Sequence, residues 1–95
     1  MVKQDQQKII AVITKYLPQA KVYLFGSRAR KDNTPQSDID IAIDNKTKID
    51  SSVLSNIREE VEESTIPFTI DIVDLNNISK ELRDQILKDK IQWTS

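Results

Sequence analysis

Val22-Tyr23-Leu24-Phe25-Gly26-Ser27-Arg28-Ala29-Arg30-Lys31 is followed, after six residues, by Asp38-Ile39-Asp40-Ile41-Ala42-Ile43-Asp44. The first stretch reads as a strand from Lys21 to Phe25, rich in β-branched and aromatic residues, stopped by the chain's only glycine. Ser27 to Lys31 can form one helical turn, and Asp32-Asn33-Thr34-Pro35 is turn chemistry. The second stretch alternates strictly, with Ile39, Ile41 and Ile43 on one face and Asp38, Asp40, Ala42 and Asp44 on the other. That is a strand with one buried face. A strand, a tight turn, a basic loop and a carboxylate pair on a second strand suit a nucleoside triphosphate and its metal.

Elements on either side complete an α+β pattern. Residues 3 to 17 predict a helix, because Ile9, Ile10, Val12, Ile13, Tyr16 and Leu17 recur at three- and four-residue spacing before Pro18. Such a stripe is ordinary core. Asp50, Ser51 or Ser52 can cap a helix running to about residue 63, with Val53, Leu54, Ile57 and Val61 inward. Phe68 to Asp74 predicts a third strand, with Phe68, Ile70 and Ile72 on one face and Thr69, Asp71 and Val73 on the other. Ser79 opens a last helix with Leu82, Ile86 and Leu87 expected inward, and Ile91-Gln92-Trp93 can form a short edge strand. No internal repeat or linker divides residues 1–95, so one domain is expected.

Composition narrows the chemistry. The 95 residues carry 14 basic and 15 acidic side chains, a formal charge of -1, which argues against nonspecific nucleic-acid binding. No cysteine or histidine is present. Disulfides, thiolate sites and the commonest general base are therefore excluded, and any metal site must be built from oxygens, favouring Mg²⁺, Mn²⁺ or Ca²⁺. No apolar run approaches the ~20 residues of a membrane span, and no signal-peptide core opens the chain, so a cytoplasmic protein is expected. A chain of this length buries only about 60–65% of its unfolded surface. It has little room for both a catalytic site and a walled substrate pocket.

Asp38 and Asp40, two apart on a strand, point to one face with Cα atoms about 7 Å apart. Like charges that close repel unless a cation or a basic group intervenes. Asp71 adds a third carboxylate if its strand pairs with the isoleucines on the same side, and it is the best-placed base for an attacking hydroxyl. Gly26 lets backbone N–H groups approach a phosphate, Ser27 offers a hydroxyl, and Arg28, Arg30 and Lys31 bring cations. Metal and backbone donors together suit an in-line phosphoryl or nucleotidyl displacement. Taken singly, an Asp-x-Asp pair is commonly a solvated face, a Gly-Ser after a strand is usually a turn, and Asp71 could be an outer strand face. Order and spacing set the joint reading apart. Asp44 and Asp74, at strand ends, read as solvated or capping residues.

Gly26-Ser27, ten intervening residues and Asp38-Ile39-Asp40 resemble the Gly-Ser-x10-Asp-x-Asp signature of the DNA polymerase β-like nucleotidyltransferase superfamily. The small size is similar to its minimal nucleotidyltransferase (MNT) branch. Arg28-Ala29-Arg30 is similar to the Gly-Ser-x-Ala-Arg-Gly form of that branch, with Lys31 in place of the usual glycine. Thr69 to Val73 resembles the strand that carries the third carboxylate. The resemblance implies a mixed β-sheet with helices packed on one face and the site on the open face. It implies two Mg²⁺ held by Asp38, Asp40 and Asp71, nucleotide contacts from Gly26, Ser27, Arg28 and Arg30, and ATP as the nucleotide. The reaction would transfer a nucleoside monophosphate to an acceptor hydroxyl and release pyrophosphate.

Proteins of this branch pair with a separately encoded helical protein of the HEPN or substrate-binding type, often as toxin–antitoxin modules in which a tyrosine of the toxin is adenylylated. By resemblance, that is the expected partner and acceptor here, with Trp93, Tyr16, Tyr23 and Phe25 as candidate contacts beside their ordinary role as core. Two other readings stay open: an antitoxin that neutralises its partner by binding alone, and nucleotidyl transfer to a small molecule or an RNA end.

Overall fold

The computed structural model describes residues 3–31 and 38–94. The expected turn at Asp32 to Pro35 lies outside them. Elements run α1 (Lys3–Tyr16), β1 (Lys21–Phe25), α2 (Ser27–Arg30), β2 (Ile39–Asp44), α3 (Ser51–Glu63), β3 (Ile70–Asp74), α4 (Lys80–Asp89) and β4 (Ile91–Gln92). The strands form one mixed sheet in the order β3-β2-β1-β4. β1 pairs antiparallel with β2 and β4, whereas β2 and β3 run parallel.

Alternation decides which face each side chain takes. Val22, Leu24, Ile39, Ile41, Ile43 and Ile72 turn to one face, where Ile9 and Ile13 of α1 and Leu54, Ile57 and Val61 of α3 bury them. Ile9, Ile13, Ile39, Ile41, Ile43 and Ile57 are all fully buried. Each such side chain contributes about 1.5–3 kcal/mol on leaving water, so this layer fixes which way β2 and β3 face.

The helices expected on one face are α1 and α3. The last helix differs: α4 lies against the opposite face, where Ile86 packs with Tyr23, Phe25, Ala42 and Leu75. Only Ile86 of α4 is buried. Leu82 and Leu87, expected inward, are 38% and 40% exposed, because a helix touching the sheet along one line has room for a narrow apolar stripe. Ser79 caps α4 as expected, its hydroxyl accepting from Leu82 N at 3.2 Å.

Asp74 caps the chain at the end of β3, as one of the two expected roles has it, but it is not solvated. It is buried, with Oδ2 accepting from Ile49 N at 2.7 Å and Oδ1 from Asn76 N at 2.9 Å. The residue thus ties the loop before α3 to the end of β3. Asp44 keeps a terminal role: Oδ1 accepts from Lys46 N and from Asn76 Nδ2. The Asn76 bond, first among several causes, holds its carboxyl below the ordinary value. Replacing Asp74 with alanine strands the buried Ile49 N and the half-buried Asn76 N, and should lower unfolding free energy by about 2–4 kcal/mol. Asp44→Ala should cost less than half as much in the same urea titration, because its site is partly open to water.

Candidate functional site

The site forms where β1 ends and β2 and β3 begin. Pairing β2 with both neighbours places Asp40 directly opposite Phe25 on β1 and opposite Asp71 on β3. Asp40 and Asp71 therefore stand side by side on the face that α1 and α3 leave open. Asp38 directly precedes β2 and is exposed, and Asp71 is exposed as well. Burial raises the Asp40 carboxyl above its ordinary 3.8, and the negative charges of Asp71 and Asp38 push it the same way, against a smaller opposing effect of Arg30. The three predicted carboxylates thus share one electrostatic neighbourhood.

Among the described residues no three carboxylates close tightly enough to hold an ion between them. Mutual repulsion keeps such groups apart until a cation offsets it. Their chemistry nevertheless fits a hard cation: the donors are all oxygens and their charges work against one another.

Gly26 sits at φ 75°, ψ -154°, a region essentially closed to residues with a Cβ. A Cβ there would overlap the Asp40 carboxylate, lying 3.2 Å from its Cγ. The glycine is thus required twice, by the backbone and by the close approach to Asp40. Arg30 N donates to Gly26 O at 3.1 Å, closing the single turn of α2. Lys31 then takes a left-handed conformation, φ 64°, ψ 25°. That is the position where the resemblance expects glycine and the sequence carries lysine, and the left-handed backbone is one that glycine adopts most readily.

Ser27, half-buried, opens α2 beside the carboxylates. The guanidinium of Arg28 lies 4.8 Å from the centre of the Phe68 ring. Arg30 Nη1 donates to Asp89 Oδ2 at 2.9 Å, so it reaches across to the end of α4. Gln85 donates to the same carboxylate at 2.7 Å and, with Arg30, holds it below its ordinary value. The sequence reading missed Phe68 and Asp89 as supports of α2. No local pattern marks them, since Asp89 is 59 residues from Arg30.

A glycine-ended strand, a one-turn helix and paired carboxylates on the next two strands are the arrangement expected of a nucleotidyltransferase. Residues 7–94 match the family described as Polymerase beta, Nucleotidyltransferase, and the chain belongs to that family as a minimal nucleotidyltransferase. It is 30% identical over 88 residues to a probable protein adenylyltransferase, MntA, of Haemophilus influenzae, covering 92% of this chain and 77% of the relative. Among solved structures, a toxin–antitoxin with AMP-PNP superposes with a TM-score of 0.78 at 28% identity, covering 95% of this chain and 73% of the other. A tri-AMPylated Shewanella oneidensis HEPN toxin in complex with MNT antitoxin matches at 0.76 and 27%, covering 100% and 74%.

The two backbone sites predict stability changes of opposite sign. Gly26→Ala should destabilise by at least the ~1–3 kcal/mol of its backbone region. Lys31→Gly should stabilise by about 0.5–1 kcal/mol, left-handed strain outweighing the extra freedom of the unfolded chain. Chemical denaturation of both variants measures this.

The Asp40 carboxyl gives a pH signature. Its folded pKa lies above the unfolded 3.8, so between those values the folded state binds more protons and stability falls as pH rises. Asp40→Asn removes this penalty. In ligand-free protein it should therefore melt higher than wild type at pH 7, with the gain shrinking as pH is lowered towards 4, as followed by thermal denaturation.

Proposed function

We propose that this nucleotidyltransferase moves AMP from ATP to a tyrosine hydroxyl of a separately encoded, helical HEPN-type protein, in the cytoplasm and with Mg²⁺. The observation that carries the reading is the register of Asp40 with Asp71 beside Gly26. The likeness to a protein adenylyltransferase and to an MNT antitoxin complexed with an AMPylated HEPN toxin supports the choice of nucleotide and acceptor.

In this reading Gly26 lets the triphosphate approach the backbone, and Ser27 donates its hydroxyl to a phosphate oxygen. Arg28 and Arg30 add positive charge at the same mouth, held by Phe68 and Asp89. Asp38, Asp40 and Asp71 would hold Mg²⁺. Bound there, the metal would offset the negative charge of the phosphates and favour the ionised acceptor. Asp71, exposed at the outer side of the pair, takes the proton of the tyrosine hydroxyl. The phenolic oxygen then forms a bond to the α-phosphorus as the bond to the bridging oxygen breaks, and pyrophosphate leaves.

Incubation with ATP labelled at the α-phosphate and a separately encoded HEPN-type protein from the same genome should label that protein on tyrosine. Asp38→Asn and Asp40→Asn should each abolish the label while the fold persists by circular dichroism. Label transfer at the wild-type rate by both variants would sink the reading. An unlabelled partner that is still neutralised would favour action by binding alone.

A further inference from the structure

We propose that the outer edge of β3 is the acceptor subsite, and that it takes an extended peptide segment with an apolar residue next to its tyrosine. The inference rests on the adenylylation reading above and adds where and how the acceptor is held. β3 is an edge strand, paired only with β2. Ile39 N donates to Thr69 O, and Leu75 N donates to Ile43 O. In a parallel ladder the main-chain groups of alternate residues turn to opposite sides. Thr69, Asp71, Val73 and Leu75 therefore address β2, and Ile70 and Ile72 address the outside.

These outward positions are not equivalent. Arg58 of α3 reaches over the edge, with Nε and Nη2 donating to Ile72 O at 3.2 and 2.8 Å. A cation laid across an edge in this way blocks further pairing there. At Ile70 no described residue supplies a partner on the outer side. The edge is thus closed at one register position and open at the other.

The open position borders a cleft of about 370 Å³ whose lining includes Arg58, Glu62, Ile66, Phe68, Ile70 and Asp71. Asp71 belongs both to this cleft and to the carboxylate pair with Asp40. The cleft is therefore continuous with the proposed reaction centre, on the side of the group that takes the acceptor's proton.

Strand geometry then selects the occupant. A segment added to β3 gains main-chain hydrogen bonds at Ile70, and its side chains alternate between faces. The residue beside Asp71 points to the carboxylate face, where a tyrosine hydroxyl is wanted. Its neighbour at the open position, beside Ile70, points to the other face, towards Ile66 and Phe68, where an apolar side chain fits. A free small-molecule alcohol lacks the backbone that the open edge would satisfy.

Two variants of the full chain test this. Ile70→Pro removes the outward N–H without touching the β2 ladder, a place where an edge strand tolerates proline. Glu62→Trp fills the cleft from an exposed helical position. Label transfer from ATP is measured to the HEPN-type protein and to short synthetic peptides carrying Leu-Tyr-Leu or Lys-Tyr-Lys, with ATP affinity measured separately. The expected result is an acceptor KM about tenfold lower for the leucine-flanked peptide. Each folded variant should raise the acceptor KM about tenfold with ATP affinity unchanged, the signature of lost acceptor binding. If Ile70→Pro does not fold, Glu62→Trp decides. Unchanged acceptor KM in folded variants, or equal use of both peptides, overturns the edge subsite while labelling of the HEPN-type protein by wild type leaves the adenylylation reading intact. If wild type labels no acceptor, that reading fails and the subsite fails with it.

Discussion

Two carboxylates held opposite each other on neighbouring strands are the constraint around which the rest of this structure is arranged. Asp40 and Asp71 meet because the isoleucines flanking them have nowhere else to go. Two unit charges about 5 Å apart repel by about 1 kcal/mol in water and about 3 kcal/mol at an effective dielectric of 20. Against this, Ile39, Ile41, Ile43 and Ile72 are essentially fully buried, and each contributes about 1.5–3 kcal/mol. Hydrophobic burial wins by a wide margin. A shift of one residue would relieve the charges only by turning every isoleucine to the opposite face. The fold therefore carries a local electrostatic penalty that incoming positive charge would relieve.

Gly26 adapts the neighbouring strand to that penalty. A side chain there would occupy space taken by the Asp40 carboxylate, so the chain can turn this close to it only without a Cβ. The turn leads into α2, whose four residues are too few to be stable alone. Tertiary contacts hold it: Ala29 packs against the main core, Arg28 lies over Phe68, and Arg30 reaches Asp89. The basic residues thus serve as anchors of the one-turn helix in the same geometry that brings their charge to the site. The field of Arg30 on Asp40 expresses both roles.

Most of the sheet was legible because its signals are local. Strict alternation in Ile39-Asp40-Ile41-Ala42-Ile43 gives both the strand and its buried face, and the lone glycine after Phe25 marks where β1 stops. Strand order and the placement of α4 were not legible. Leu82, Ile86 and Leu87 look equally apolar in sequence, and only packing on the second face shows that Ile86 alone is covered. The burial of Asp74 was hidden for a related reason. A carboxylate at a strand end is usually wet, and nothing in Asp71-Ile72-Val73-Asp74 reveals that Ile49 N will arrive to bury it. The three carboxylates could be grouped in advance because one assumption, shared isoleucine faces, was enough to converge them. Asp89 could not, since its contact with Arg30 depends on where a later helix crosses.

The two sides of the sheet and its two edges are finished unequally, and the inequality has a direction. One face is closed by α1 and α3, and the far part of the other by α4 through Ile86. The β1 edge is extended by β4, with Trp93 N donating to Val22 O beyond it. The β3 edge is closed by Arg58 at Ile72 and, among the described residues, left open at Ile70. Among the described residues, what remains uncovered is the corner where Asp38, Asp40 and Asp71 lie with the start of β3. Elsewhere the chain spends helices, a strand and an arginine on covering its sheet. The open backbone and the crowded carboxylates adjoin each other, so a strand-like substrate arriving at that corner would supply hydrogen bonds to the one while its hydroxyl met the other.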